Sequence, residues 1–401
     1  MAKILISFNF VPKYAIFCMM KSISEIKLGI LGGGQLGRML VQAAKEWNLD
    51  CYILDESKDF PAGNVGAQFT EGNFKSYQDV YNFGRQLDVL TVEIEHVNIE
   101  ALFQLQIEGV KVHPRPEALA TIKDKGLQKE FYSKHNFPTA AFKLFENKAE
   151  VLQAITDKSI EIPFVQKSRL AGYDGKGVVL IKTEAELSSL MDTACVIEEA
   201  INIEKEIAVI ASRNEKEEIV CFPAVDMYFH PVANLVEIVT YPSEANKALQ
   251  LQAKEIAEDL IKQLDICGLL AVEFFITEDG QLLINEVAPR PHNSGHITME
   301  ASITSQFQQH IRGICNLALG STDYSNPAVM MNLLGEEGFA GKTRYEKLDT
   351  CLQVKGAYIH LYGKKMTKSF RKMGHVNVVD QTMEEALSKA IHIKETLKIV
   401  A

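Results

Sequence analysis

Hydrophobic positions recur along the chain with two periods, one of strands and one of helices. Lys27 to Leu31 is a short apolar run that ends on Gly32-Gly33-Gly34. Leu36, Met39, Leu40 and Ala43 then recur at helical spacing and predict an amphipathic helix directly after the glycines. Cys51 to Leu54 predicts a second strand, closed by Asp55; Val89 to Ile94 predicts a third and Val110 to Val112 a fourth. Strands separated by helical stretches predict a parallel, doubly wound sheet, an α/β domain of Rossmann-like type over residues 21–120.

Beyond residue 120 the pattern becomes α+β. A polar helix, a break at Phe137-Pro138 and a short strand fill 121–146. Phe164 to Lys167 and Val178 to Ile181 predict strands around a glycine-rich turn. A helix over 184–192 and a strand over 195–201 follow, then strands over 206–212 and 218–225. A helix over 244–264 leads into strands over 270–276 and 281–287. Ile303, Phe307, Ile311 and Ile314 form one stripe and predict a helix over 300–318. These elements make a domain over 121–318. The rest, with Tyr358 to Tyr362 and Val376 to Val379 as strands, predicts a small β-rich C-terminal domain over 319–401.

Composition narrows the function classes. With 401 residues, 47% hydrophobic and 23% charged, the chain suits two or three packed domains and not long disorder. A formal charge of −10 argues against a general nucleic-acid binder. No apolar run is long enough to predict a membrane span. The seven cysteines are odd in number and form no C-x-x-C pair, which argues against a disulfide framework or zinc ribbon and for a reducing cytoplasm. Residues 1–20 read as a dispensable extension: the apolar stretch Ile4 to Val11 is broken by Ser7 and Asn9, and Met19-Met20 stand just before ordinary sequence resumes. A chain begun at Met20 is expected to match the full one in thermal midpoint and turnover, and unfolding on truncation would show that 1–19 pack on the core.

Four motifs carry chemistry. Gly32-Gly33-Gly34-Gln35-Leu36-Gly37 fits G-x-G-x-x-G, with Asp55 at the end of the next strand. A helix N-terminus lined by small residues accepts a phosphate, and a ligand-free tight turn uses the same residues. Read alone, the fingerprint would point to an NAD-dependent dehydrogenase, which leaves the other motifs unexplained. Gly172-Tyr173-Asp174-Gly175-Lys176-Gly177 joins two strands, with Lys167 on the incoming one. Such a loop either closes over polyphosphate through its backbone N–H groups or is an ordinary hairpin turn. Asp279-Gly280 signals a two-residue hairpin between apolar strands. That turn sets Phe275 opposite Ile284 and Glu273 opposite Glu286. Facing carboxylates repel unless they point into water or share a hard cation, and Mg²⁺ takes one or two carboxylates plus phosphate oxygens. Asn285 would point to the other face of a regular strand, so a role at the site needs a local bend. Ala288 to His296 is then a rigid polar loop with Arg290 and His292 as its candidates. Lys364, Lys365, Lys368, Arg371 and Lys372 put five positive charges into nine residues, either a solvated loop or an anion-binding one.

Together these residues resemble the ATP-grasp superfamily and, within it, the 5-(carboxyamino)imidazole ribonucleotide synthetases. The resemblance covers 27–380 and rests on Gly33 to Met39, the 172–177 loop, Asn285 to His296, and Arg371-Lys372-Met373-Gly374-His375. It implies a central ATP-grasp fold between the Rossmann-like and C-terminal units. It also implies a homodimer that binds neither nucleic acid nor membrane. The family carboxylates aminoimidazole ribonucleotide with ATP and bicarbonate by way of carboxyphosphate. The resemblance assigns ATP to Lys125, Lys167, Gly172, Tyr173, Asp174, Gly175, Lys176, Gly177, Val178, Glu206, His230, Asn285 and Glu286, and to a hinge strand Glu198, Glu199, Ala200 and Ile201 that reads adenine. Glu273 and Glu286 hold Mg²⁺, with Mn²⁺ an alternative. Gln35, Leu36, Glu93, Tyr173, Lys176, Asn293 and Ser294 line the ribonucleotide, and His292, Arg290, Lys364, Arg371 and Asp174 serve the catalytic step. The family often carries Arg where Lys125 stands, and one residue is inserted just before His230. Another ATP-grasp ligase, such as the formate-using glycinamide ribonucleotide transformylase, is the alternative reading.

Overall fold

The structure is a computed structural model that describes residues 22–170, 177–233 and 235–401. Strands β1 (Lys27–Leu31), β2 (Asp50–Asp55), β3 (Gln68–Glu71), β4 (Val89–Val92) and β5 (Lys111–His113) form an all-parallel sheet in the order β3-β2-β1-β4-β5. β4 is buried at every position and β1 at all but its first, as expected of strands covered by helices on both faces. The helix Gln35–Lys45 follows β1 as the spacing predicts and buries Leu36, Met39, Leu40 and Ala43. β3 escapes the sequence pattern because it is an edge strand with little buried surface.

The centre of the chain builds two antiparallel sheets. β6 (Phe142–Phe145), β7 (Phe164–Ser168), β8 (Val178–Ile181) and β9 (Cys195–Glu199) pair in the order β6-β9-β7-β8. The larger sheet takes β10 (Ile203–Arg213), β11 (Ile219–Cys221), β12 (Val225–Phe229), β13 (Val236–Tyr241), β14 (Gly268–Thr277), β15 (Leu282–Ala288) and β16 (Ala328–Leu334). Two further pairs are short ribbons, β17 (Ala340–Lys342) with β20 (Met366–Lys368) and β18 (Arg344–Glu346) with β22 (Lys398–Val400). The larger sheet is completed by β19 (Ala357–Leu361) and β21 (Lys372–Val379), in the order β15-β14-β10-β12-β13-β16-β21-β19, with β11 beside β10. The C-terminal strands therefore extend the central sheet. The helix Lys247–Gln263 packs on β10, β11 and β14, and buries Ala253, Ile256, Ala257, Leu260 and Ile261 in the largest core.

Several sequence expectations shift. The helix expected over 184–192 is a shorter 3-10 segment, Glu184–Ser189, started by a Thr183/Glu186 capping box. The strand expected over 218–225 is two strands, β11 and β12, and the one over 195–201 stops at Glu199. The helix expected over 300–318 is broken. Thr298–Ala301 ends at an extended Ser302, and a Ser305/Gln308 capping box starts a new helix, Gln306–Ile314. Ile303 falls in the break and is 70% exposed, whereas Phe307, Ile311 and Ile314 are buried. Those three side chains enter the core of the N-terminal unit alongside Leu36, Met39, Leu40 and Tyr362. One helix thus ties all three segments of the chain together. Among the described residues no helix is long and apolar enough to cross a membrane, and the six described cysteines are free.

Candidate active site

The β14–β15 hairpin pairs Glu273 with Glu286, by a route the sequence only half reveals. The Thr277 N–H donates to the Gln281 carbonyl and Gly280 has φ +81°, so the loop has three residues and not two. Phe275 therefore faces Leu283, and Ile284 faces Phe274, correcting the expected Phe275–Ile284 pair. A bulge at Asn285 then restores the register, and Glu273 faces Glu286 as expected. The same bulge is the local bend that Asn285 requires: its Oδ1 lies 3.0 Å from Lys167 Nζ on β7 of the smaller sheet.

Lysines from the smaller lobe converge on this hairpin. Lys125 opens the helix Lys125–Lys134 and its Nζ lies 3.3 Å from Glu286 Oε1. Lys167 Nζ also lies 2.9 Å from Glu198 Oε2, and Lys129 Nζ 3.0 Å from Glu198 Oε1. Burial pulls Lys129 down to about 8, against the upward pull of Glu198. Burial opposes the charge on Glu198, but Lys167 and Lys129 together hold its carboxyl below the ordinary range. A buried charge is kept only when it is paired, so Glu198 is a side-chain anchor for two lysines. Its main chain lies in the ladder between β6 and β7, and the Glu199 N–H donates to Ala141. The ladder leaves the segment from the Glu199 carbonyl through Ala200 to Ile201 outside it. Sequence reading missed Lys129, although its spacing of four from Lys125 puts both lysines on one helix face.

Glu206, on β10, is pushed up to about 7 by burial and then by the Glu273 charge, with Lys167 pulling the other way. Below the ordinary carboxylate pKa both the folded and unfolded forms hold this proton. Between there and about 7 only the folded form does, so stability falls as pH rises through that window. Glu206→Gln is expected to stabilise the nucleotide-free protein at pH 8 by about 1–3 kcal/mol and to weaken nucleotide binding. Most of the gain should vanish by pH 5. Urea midpoints at the two pH values check it, and equal midpoints for variant and parent at pH 8 would refute the assignment.

The loop after β15 faces the carboxylates from the other side. His292 Nε2 lies 3.2 Å from Glu273 Oε1. His292 Nδ1 accepts the Ser294 N–H at 3.3 Å and meets Ser294 Oγ at 2.8 Å, so the neutral ring carries its proton on Nε2, toward Glu273. Burial works against the charge on Glu273, but the His292 hydrogen bond and the Lys125 and Lys372 charges hold its carboxyl below the ordinary range. Arg290 pairs with Glu95 of the N-terminal unit at 2.8 Å. Asn293 exchanges two hydrogen bonds with Asn332, at 3.0 and 2.7 Å, and Ser294 is fully buried.

The glycine turn after β1 spends three of its N–H groups on the protein's own carboxylates: Gly33 donates to Asp55 at 2.5 Å, and Gly34 and Gly37 both donate to Glu93 at 2.6 Å. A Cβ on Gly37 would lie 2.4 Å from the Gly32 carbonyl, which explains that glycine without a ligand. Burial raises Glu93, and the Arg290 charge counters it, so Glu93 and Arg290 belong to one neighbourhood. Leu36 is buried in the core, and Gln35 is half-buried at the helix start.

In the basic stretch Lys365 and Lys368 are exposed, while Lys364, Arg371 and Lys372 are partly covered. Lys364 Nζ donates to the Lys372 carbonyl at 2.7 Å and lies 5.4 Å from the Tyr362 ring centre. Arg371 donates to the Met366 carbonyl at 2.7 Å. Between them Phe370 sets its ring 5.3 Å from that of His230, whose Nδ1 accepts from Val232 and Ala233. Gly172, Tyr173, Asp174, Gly175 and Lys176 lie outside the described residues, as does the 1–20 extension. Gly177 accepts from the Ser168 N–H, and Val178 pairs with Lys167.

Among the described residues no group of three or more His, Cys, Asp or Glu side chains is gathered for a metal. Two carboxylates at one register, met by the single charge of Lys125 and only an N–H from His292, fit a cation that completes its shell with phosphate oxygens.

Two antiparallel lobes with lysines on one and paired carboxylates on the other define an ATP-grasp ligase. Residues 130–307 match the ATP-grasp domain family, 25–123 the ribonucleotide synthetase preATP-grasp domain, and 328–389 the phosphoribosylaminoimidazole carboxylase C-terminal domain. The crystal structure of N5-carboxyaminoimidazole ribonucleotide synthetase from Thermotoga maritima is 41% identical, with a TM-score of 0.86 over 94% of this chain and 99% of that one. The Aspergillus clavatus synthase in complex with ADP and 5-aminoimidazole ribonucleotide is 30% identical, with a TM-score of 0.84 over 93% and 100%. The N5-carboxyaminoimidazole ribonucleotide synthase of Bacillus subtilis is 35% identical over 89% of this chain and 92% of its own. This chain belongs to the N5-carboxyaminoimidazole ribonucleotide synthase family. It spans 65% and 66% of the length of the phosphoribosylaminoimidazole carboxylases of Vigna aconitifolia and Candida albicans that it also matches.

Proposed function

We propose that this protein carboxylates 5-aminoimidazole ribonucleotide at its exocyclic amine, using ATP and bicarbonate, to give 5-(carboxyamino)imidazole ribonucleotide, ADP and phosphate. The observation that carries the reading is the Glu273–Glu286 pair, with Lys125 on Glu286 and His292 on Glu273, beside Lys167 on Asn285 and Arg290 on Glu95. ATP would lie along Lys125, Lys167 and Glu206, with its base against the segment from Glu199 to Ile201. Mg²⁺, held by Glu273 and Glu286, would neutralise charge on the transferring phosphoryl group. A bicarbonate oxygen takes the γ-phosphoryl group and ADP leaves. The amine nitrogen then bonds to the carboxyl carbon, directly or after CO₂ release, as phosphate departs and the nitrogen loses a proton.

The protein's part is positioning and electrostatics. Arg290, Lys364, Arg371 and Lys372 would surround the acceptor side with positive charge and His292 would present its Nε2–H there, while Glu93 and Gln35 would hold a ribose hydroxyl. Closure of the 172–177 loop, with Tyr173, Asp174 and Lys176, would keep water from carboxyphosphate. The test is ADP release with each substrate omitted in turn. Release is expected to require both bicarbonate and aminoimidazole ribonucleotide. Equal release with formate and glycinamide ribonucleotide would make the chain the other kind of ligase.

A further inference from the structure

Gln306 and Gln309 are both fully buried on the helix Gln306–Ile314, and each applies both ends of its amide to the main chain of one distant residue. Gln309 accepts the Gly320 N–H at 3.0 Å and donates to the Gly320 carbonyl at 2.6 Å. Gln306 does the same to His292: it accepts the N–H at 2.9 Å and donates to the carbonyl at 2.8 Å, which the Gly295 N–H shares at 3.0 Å. One bond accepted and one donated fix which end of the Gln306 amide is which. Its NH₂ also reaches His296 Nδ1 at 3.1 Å, so that nitrogen accepts and the His296 proton sits on Nε2. The loop is shaped around this side chain: a Cβ on Gly295 would lie 2.4 Å from Gln306 Oε1.

His292 is thus held twice. Gln306 grips its main chain, and Ser294 grips Nδ1, which turns Nε2 toward Glu273 at 3.2 Å. Neither clamp touches Lys125, Lys167 or Glu206. We propose that Gln306 is a positioning residue that sets the aim of His292, so that its loss lowers the rate of the carboxylation step and spares nucleotide binding. The kinetic part of this inference rests on the carboxylation reading above. Displacing a catalytic group by about 1 Å costs on the order of 100-fold in rate.

Gln309 provides the control, because it is equally buried on the same helix and makes the same kind of clamp on Gly320, outside the loop that carries His292. Gln306→Met is expected to lower kcat for ribonucleotide-dependent ADP release by about 10- to 100-fold, with the KM for ATP within about twofold. Gln309→Met should lose comparable thermal stability and keep kcat within about twofold per folded molecule. Ring ¹⁵N NMR supplies a readout free of turnover: His296 Nδ1 should be unprotonated in the parent protein and protonated in Gln306→Glu, whose carboxylate can only accept. Equal kcat losses in the two Met variants, or an unchanged His296 ring signal in Gln306→Glu, would overturn the proposal. If the parent protein shows no ribonucleotide-dependent release, the carboxylation reading fails, and the His296 signal still decides whether the clamp exists.

Discussion

Glu286→Gln is expected to lower turnover at least about 100-fold, the scale of losing one strong electrostatic contact to a transition state. The fold should survive, because Glu286 is 49% exposed and the change relieves a pair of facing carboxylates. Glu273 is the poorer probe of the same site. It is largely covered and bonded to His292, so Glu273→Gln would disturb the loop as well as the cation site. The measurement is turnover across a magnesium titration, with urea midpoints to confirm folding. A variant close to its parent at limiting magnesium would remove Glu286 from the metal site, and the hairpin would then be an ordinary repulsive pair left facing water.

That hairpin also shows how far sequence carries. The Glu273–Glu286 pair was legible, but through two compensating departures from regular geometry. The Asp279-Gly280 signal suggests a two-residue turn, and the true loop has one residue more. Asn285 adds one residue on the other strand and cancels the difference. Propensity sees a turn but not its length, and no local signal marks a bulge whose reason is a lysine on another sheet. The long strands β14 and β15 and the helix Lys247–Gln263 were clear because their apolar periods are strong. β13 and β16, in the middle of the large sheet, were not. Ala328 to Leu334 is almost uniformly apolar, so periodicity cannot separate strand from helix there.

At the site, charged residues were legible and the groups that hold them were not. Lys167, Glu273, Glu286, Arg290 and His292 stand out as costly residues in patterned places, and Lys125 comes only from the family resemblance. Gln306 and Glu95 carry no mark of their own, since their roles exist only once distant segments meet. The glycine turn was half legible for a related reason. Its pattern describes a helix N-terminus that wants an anion, but not that Glu93, fifty-six residues past Gly37, supplies it.

The basic stretch yields the second large effect. A solvated loop would tolerate loss of either Arg371 or Lys364 with changes within about 0.5 kcal/mol. The structure ties the stretch down at three points: Lys364 crosses to the Lys372 carbonyl, Phe370 meets His230, and the Lys372 charge acts on Glu273. Placed at the acceptor side, as the family resemblance implies, Arg371 and Lys364 would each make a charge-assisted hydrogen bond to a substrate oxyanion. Losing such a contact costs roughly 2–4 kcal/mol, about 30- to 1000-fold in catalytic efficiency. Neither residue touches Lys125, Lys167 or Glu206, so the loss should be selective. In Arg371→Ala and Lys364→Ala, ATP affinity is expected to stay within about threefold, below ~1 kcal/mol, while ribonucleotide-stimulated turnover collapses. ATP titration and stimulated ADP release, measured separately on each variant, distinguish the outcomes. Equal loss of both would place this stretch at the nucleotide, beside His230, and unchanged turnover would return it to the solvated surface.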